Sequence, residues 1–79
     1  MKQYKIFITG GAGYVGTLLT LKLLSLGHKV TVYDLMIYGE NVLEDHPNLR
    51  KVFGDVRDFK KIEDTRIDHD VVINLACNY

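Results

Sequence analysis

Apolar residues in this chain come in short runs set apart by glycines and polar breaks, and the runs alternate between two periods. Residues 4–9 (Tyr-Lys-Ile-Phe-Ile-Thr) are rich in β-formers and stopped by glycine, which predicts a first strand. Residues 14–26 are leucine-rich and free of proline. Tyr14, Leu18 and Leu21 make one stripe at helical spacing, and Val15, Leu19, Leu23 and Leu26 make another. A helix with so broad an apolar face is expected to be mostly buried against a parallel sheet, with Gly27 as its stop.

Residues 29–35 alternate into Val30, Val32 and Leu35 and predict a second strand, with Asp34 at its C-terminal end. Residues 36–48 carry Gly39, Asn41, Pro47 and Asn48, so they read as a loop with one short helix around 41–45. Residues 49–53 form a weaker third strand ended by Gly54. Residues 57–66 are charged and helix-compatible, with Phe59 and Ile62 on one side. Residues 70–76 (Asp-Val-Val-Ile-Asn-Leu-Ala) predict a fourth strand of the buried type. Strands alternating with helices imply an α/β fold with a parallel sheet and right-handed crossovers. The strand order 3-2-1-4 puts a crevice between the first and fourth strands.

The break after the first strand is Thr9-Gly10-Gly11-Ala12-Gly13-Tyr14-Val15-Gly16. Glycines 11, 13 and 16 satisfy G-x-G-x-x-G, and glycines 10, 13 and 16 satisfy G-x-x-G-x-x-G. Between a strand and a helix, this is the fingerprint of a dinucleotide-binding βαβ unit. A pyrophosphate approaches the backbone there, where unpaired N–H groups and the positive end of the helix dipole stabilise its charge. A Cβ at Gly11 or Gly13 would obstruct the turn or the phosphate, and one at Gly16 would hold the helix off the strand.

Asp34 lies about 20 residues beyond the glycines, where a carboxylate accepts hydrogen bonds from an adenosine ribose. It also repels a 2′-phosphate, and no arginine follows directly to compensate, which favours NAD over NADP. Asp55, in Gly54-Asp55-Val56-Arg57-Asp58, follows the third strand at the same edge. From the residues alone two readings stand: Asp55 accepts from the adenine amino group, or Asp55 or Asp58 caps the next helix.

Composition narrows the remaining classes. The chain has 79 residues, 47% hydrophobic and 25% charged, with ten basic against ten acidic side chains. That is one small domain of ordinary globular composition. Zero formal charge argues against a nucleic-acid partner, which calls for a clustered basic surplus. The single cysteine excludes an internal disulfide framework and fits a reducing compartment. His28, His46, His69 and Cys77 show no metal-ligand spacing. No stretch approaches the roughly 18–20 apolar residues that span a bilayer, so a cytoplasmic protein without a membrane partner is expected. The absence of G-K-[ST] excludes a Walker-type loop. His28 reads as a solvated turn residue. His69, between Asp68 and Asp70, reads as a surface residue rather than half of a catalytic pair, and Cys77 as a small residue near the cofactor rather than a nucleophile.

Taken together, these motifs resemble the extended short-chain dehydrogenase/reductase superfamily, specifically the NAD-dependent epimerase/dehydratase family acting on nucleotide sugars. The glycine run is similar to its T-G-G-x-G-[FY]-[IV]-G, Gly54–Asp58 to its G-D-[IV]-R-D, and residues 70–77 to its D-x-V-x-H-L-A-A. Asn74 replaces the usual histidine and Cys77 the usual alanine. The resemblance implies a partial Rossmann (doubly wound) fold of about four strands, with NAD as cofactor. It implies cofactor contacts from Gly10, Gly11, Gly13, Tyr14, Val15 and Gly16, from Asp34 and Leu35, from Asp55 and Val56, and from Leu75, Ala76 and Cys77 near the ribose.

In that family a downstream Y-x-x-x-K supplies the acid/base tyrosine and its lysine, while NAD takes a hydride from a sugar carbon. Here Tyr4, Tyr14, Tyr33 and Tyr38 have Ile8, Leu18, Ile37 and Val42 four places on. Residues 1–79 are therefore expected to be the N-terminal part of a NAD-binding domain, inactive alone, with a nucleotide-sugar substrate only in a longer form. Two alternatives remain: a stand-alone, non-catalytic nucleotide-binding or interaction module, and an NADP-dependent reductase of the same superfamily. A half-length sheet also exposes edges through which the chain could self-associate.

Overall fold

The computed structural model describes residues 2–10, 14–35 and 43–75. Their elements are β1 (Lys5–Thr9), α1 (Tyr14–Ser25), β2 (Lys29–Asp34), β3 (Leu49–Phe53), α2 (Phe59–Arg66) and β4 (Val71–Asn74). The four strands pair in parallel, as the alternation of strands and helices predicts, and in the order β3-β2-β1-β4 expected of the dinucleotide-binding fold. Of the short helix expected around 41–45, residues 41 and 42 lie outside the described residues. Residues 43–48 are non-helical and close a turn in which Leu49 N–H donates to His46 O at 3.0 Å.

Because neighbouring residues of parallel strands share a face, the register sorts the sheet into two sides. Ile6 lies beside Val30 and Ile8 beside Val32, and these four pack with Leu24 and Leu43 into the aliphatic core. Leu19, Leu23, Leu49, Ile73 and Leu75 lie half-buried around it. The alternate residues Phe7, Thr9, Thr31 and Tyr33 face the other side and are also buried. Phe7 is the pivot there, with its ring 6.0 Å from that of Tyr33 and 5.4 Å from that of His69.

Helix α1 ends where the sequence predicts. Gly27 adopts φ +91, its N–H bonds Leu24 O at 3.0 Å, and His28 N–H bonds Leu23 O at 3.1 Å. This is a Schellman stop, and the left-handed residue in it favours glycine. His28 itself corrects the expectation of a solvated turn residue. It is buried, its Nδ1 accepts the Tyr4 N–H at 3.1 Å, and its ring lies 5.5 Å from that of Tyr4. The residue after a Schellman glycine folds back onto the protein, so its side chain is drawn inward.

The expectation of a mostly buried α1 is also corrected. Its buried residues are Gly16, Thr20 and Leu24, a stripe at four-residue spacing. Tyr14, Val15, Leu18 and Leu21 are exposed. A single sheet can cover one stripe of a helix, and the stripe chosen is the one whose small side chains allow the closest approach. Thr20 is fully buried, and its hydroxyl has no hydrogen-bond partner among the described residues.

Helix α2 starts two residues later than the charge pattern predicts, because Asp58 serves as its N-cap and accepts Lys61 N–H at 3.1 Å. The turn after it places Asp68 at φ 74, a left-handed position that aspartate tolerates. The start of β4 is fastened to β1 twice: Asp70 N–H donates to Lys5 O at 2.7 Å, and Lys5 N–H donates to the Asp70 carboxylate at 2.8 Å.

Candidate dinucleotide site

Parallel strands end on a common edge, so the residues after β1, β2, β3 and β4 meet on one side of the sheet beside the N-terminus of α1. Three backbone hydrogen bonds hold these segments in register. Gly10 N–H donates to Tyr33 O at 2.9 Å, Gly54 N–H to Asp34 O at 3.2 Å, and Leu75 N–H to Thr9 O at 2.8 Å. The Thr9 hydroxyl adds a bond to Asn74 Oδ1 at 2.7 Å, spanning the pair of strands where the chain order reverses.

Gly10 turns out of β1 at φ 79, a conformation that side chains disfavour. Gly11 and Gly13 lie outside the described residues, and so do Ala76 and Cys77. Tyr14 and Val15 open α1 in exposed positions, while Gly16 is buried toward the sheet. The first turn of α1 carries no acidic side chain, so no like charge opposes an anion at its positive end.

Asp34 is the last residue of β2 and is half-buried, and Leu35 follows in an exposed position. Asp55, after β3, is partly exposed. Its Oδ1 accepts the Arg57 N–H at 2.8 Å, and its Oδ2 accepts the Arg57 Nη2 donor at 2.8 Å. These hydrogen bonds from the Arg57 side chain and backbone bring its carboxyl down to about 2. Of the two capping candidates, Asp58 takes the cap. Asp55 instead closes a small turn with its carboxylate ionised. Val56, inside that turn, is half-buried, as is Leu75 beyond β4.

The group these residues suit is extended and negatively charged in its middle. The left-handed turn at Gly10, the buried Gly16 and an acid-free helix start fit a pyrophosphate, and two carboxylates farther along the edge fit hydroxyl and amino donors.

His69 and Asp70 lie before β4, at the opposite edge of the sheet. His69 is not the surface residue expected from its acidic neighbours. It is half-buried, with Nε2 2.8 Å from Thr31 Oγ1 and Nδ1 3.1 Å from Arg66 O.

One residue at the site escaped the sequence reading. Tyr33 is fully buried, and its hydroxyl donates to Asp55 O at 2.8 Å. A Cβ at Gly54 would overlap the Tyr33 ring, so the glycine of this motif leaves room for that side chain. Burial, then the nearby carboxylates of Asp58 and Asp55, push the Tyr33 phenol up. The available signal was a large aromatic, immediately before Asp34, in a strand otherwise built from smaller residues.

A sequence model described as the NAD dependent epimerase/dehydratase family matches residues 6–79. The low-salt glycan biosynthesis protein Agl12 of Haloferax volcanii is 36% identical over 77 residues, covering 90% of this chain and 25% of that protein. The dTDP-glucose 4,6-dehydratase of Streptomyces niveus is 35% identical over 83 residues, covering 91% of this chain and 25% of the enzyme. Among solved structures, the Bordetella bronchiseptica enzyme WbmH in complex with NAD+ superposes with a TM-score of 0.87 at 34% identity. That match covers 99% of this chain and 27% of WbmH. The chain thus spans about a quarter of the length of these relatives.

Proposed function

The chain belongs to the NAD dependent epimerase/dehydratase family, and from that premise we propose that it holds the adenosine and pyrophosphate portion of NAD for chemistry on a nucleotide sugar. Gly10, Gly11, Gly13, Tyr14, Val15 and Gly16 receive the pyrophosphate, and Asp34 with Leu35 receives the adenosine ribose. Asp55 with Val56 takes the adenine, and Leu75, Ala76 and Cys77 line the cofactor beyond β4. The observation that carries this reading is the convergence of Gly10, Asp34, Gly54 and Leu75 on one sheet edge, tied by backbone hydrogen bonds.

When bound, NAD supplies a hydride acceptor that can return the hydride to a sugar carbon. The residues of this chain bind and orient it. Residues 1–79 then act as the N-terminal part of a NAD-binding domain, and the acid/base step on the sugar belongs to parts of the family fold beyond them. The relatives' coverage supports this division, as does the absence of Y-x-x-x-K in the sequence.

Titration calorimetry of the chain with NAD and NADP tests the reading. NAD is expected to bind more tightly by at least about tenfold, or ~1.4 kcal/mol, because Asp34 opposes a 2′-phosphate. In Asp34→Asn the gap should narrow. Equal affinities in the wild type, or a preference for NADP, would refute the assignment of Asp34.

A further inference from the structure

Of the four segments assigned to the dinucleotide, those for pyrophosphate, ribose and adenine need a common spacer to hold them at the right spacing. Tyr33 provides it. Its carbonyl accepts the Gly10 N–H at 2.9 Å, its hydroxyl donates to Asp55 O at 2.8 Å, and its ring fills the space beside Gly54. Asp34 is its neighbour in sequence, and Asp34 O accepts the Gly54 N–H at 3.2 Å. One buried residue therefore touches the pyrophosphate turn and the adenine-side turn and precedes the ribose carboxylate.

We propose that Tyr33 is a positioning residue of the dinucleotide site, whose phenol sets the Gly54–Asp55 turn so that the Asp55 carboxylate meets the adenine amino group. The proposal rests on the NAD reading above and deepens it.

The path from Tyr33 to ligand is short. The phenol fixes the Asp55 carbonyl, and the Arg57 N–H and guanidinium fix the Asp55 carboxylate relative to its own backbone. A shift of the backbone at 54–55 is thus passed to the carboxylate rather than absorbed by side-chain rotation. A phenylalanine at 33 would keep the ring contact with Phe7. It would leave the turn without this hydrogen bond. Hydroxyl and glycine are a matched pair: the ring can lie beneath the turn because residue 54 has no side chain.

The test compares NAD with nicotinamide hypoxanthine dinucleotide, in which a carbonyl replaces the adenine amino group and can no longer donate to Asp55. Both are titrated into the 79-residue chain and its Tyr33→Phe variant, with circular dichroism confirming the fold. The wild type should prefer NAD. In Tyr33→Phe the NAD affinity should fall about 3- to 10-fold, as for one lost hydrogen bond, while the hypoxanthine analogue changes little, so the preference collapses. Equal loss for both ligands, or no loss for either, would overturn the proposal and assign Tyr33 to the core alone. If Tyr33→Phe does not fold, Gly54→Ala decides: it displaces the same turn and should also lose the preference, and a retained preference would overturn the proposal. A wild type that binds neither dinucleotide would refute the NAD reading itself. A wild type that binds both equally would refute the adenine role of Asp55 while leaving NAD binding standing.

Discussion

The two faces of the sheet are built by different physics. On one, Ile6, Ile8, Val30 and Val32 meet Leu24 and Leu43 in an aliphatic cluster. On the other, Phe7, Thr31, Tyr33 and His69 interlock through ring contacts and hydrogen bonds, and α2 has no buried residue. The first kind of packing is non-directional and sums with area. The second is directional, and it fixes where the Gly54–Asp55 turn lies. Both faces bury large side chains, but only the ring-bearing face also registers the site. Substitutions on the aliphatic face should therefore lower stability alone, and those around Tyr33 should also touch the site.

The largest effect is expected from Ile8→Ala, which opens a cavity at a fully buried position of the aliphatic face. A loss of about 2–5 kcal/mol is a large share of what a domain of this size possesses, and urea denaturation should show the midpoint collapse. Gly54→Ala comes next. The new methyl overlaps the Tyr33 ring, and moving it away should cost about 1–3 kcal/mol in the same assay. Unlike Ile8→Ala, it should also disturb dinucleotide selectivity in whatever fraction remains folded.

Thr20→Val reverses the sign. It replaces a buried hydroxyl that lacks a partner among the described residues with a methyl of the same shape, and should raise the thermal midpoint by the equivalent of ~1 kcal/mol. A fall would mean that the hydroxyl is satisfied in solution. The smallest effect concerns acid. With its folded pKa near 2, below that of a free carboxyl, Asp55 contributes stability that is complete above about pH 4 and is lost as pH falls through about 2. Carbon-13 NMR of the carboxylate should follow that titration, and Arg57→Ala should move it up toward the ordinary range. The pair is mostly solvent-facing on the arginine side, so the change in stability should be slight.

The strands β1 and β2 were legible because apolar β-formers at period two have few other uses. Strand β4 was found as a strand but not as the buried one its continuous apolar run suggested, since it ends the described sheet with Val71 and Val72 exposed. The parallel pairing of the strands followed from alternation with helices, and their order from the dinucleotide-binding fingerprint. Gly27 was legible because a left-handed helix stop has a residue type of its own. The buried side of α1 was not: two competing apolar stripes do not say which face is covered, and close packing picked Gly16, Thr20 and Leu24, of which only Leu24 looks like a core residue. His28 and His69 misled for a related reason. Each takes its place from partners distant in sequence, Tyr4 for one and Thr31 for the other.

Of the candidate site, Gly10 and Asp34 stood out from spacing, whereas the residues left Asp55 open between an adenine contact and a helix cap, and only the family resemblance favoured the first. Tyr33 was not legible, since its role depends on a residue 22 positions away and on the missing side chain between them. A motif glycine can thus be read from sequence without revealing which neighbour requires it.

The central claim is that a dinucleotide lies along the C-terminal edge of the sheet. A nitrogen-15 NMR titration of the chain with NAD tests it most directly, because each backbone amide reports separately. The account predicts that shifts concentrate at Gly10, Gly16, Asp34, Leu35, Gly54, Asp55 and Leu75, while Lys5, Lys29, Arg50 and Asp70 at the opposite edge stay still. Shifts centred on that opposite edge, or none at saturating NAD, would contradict it.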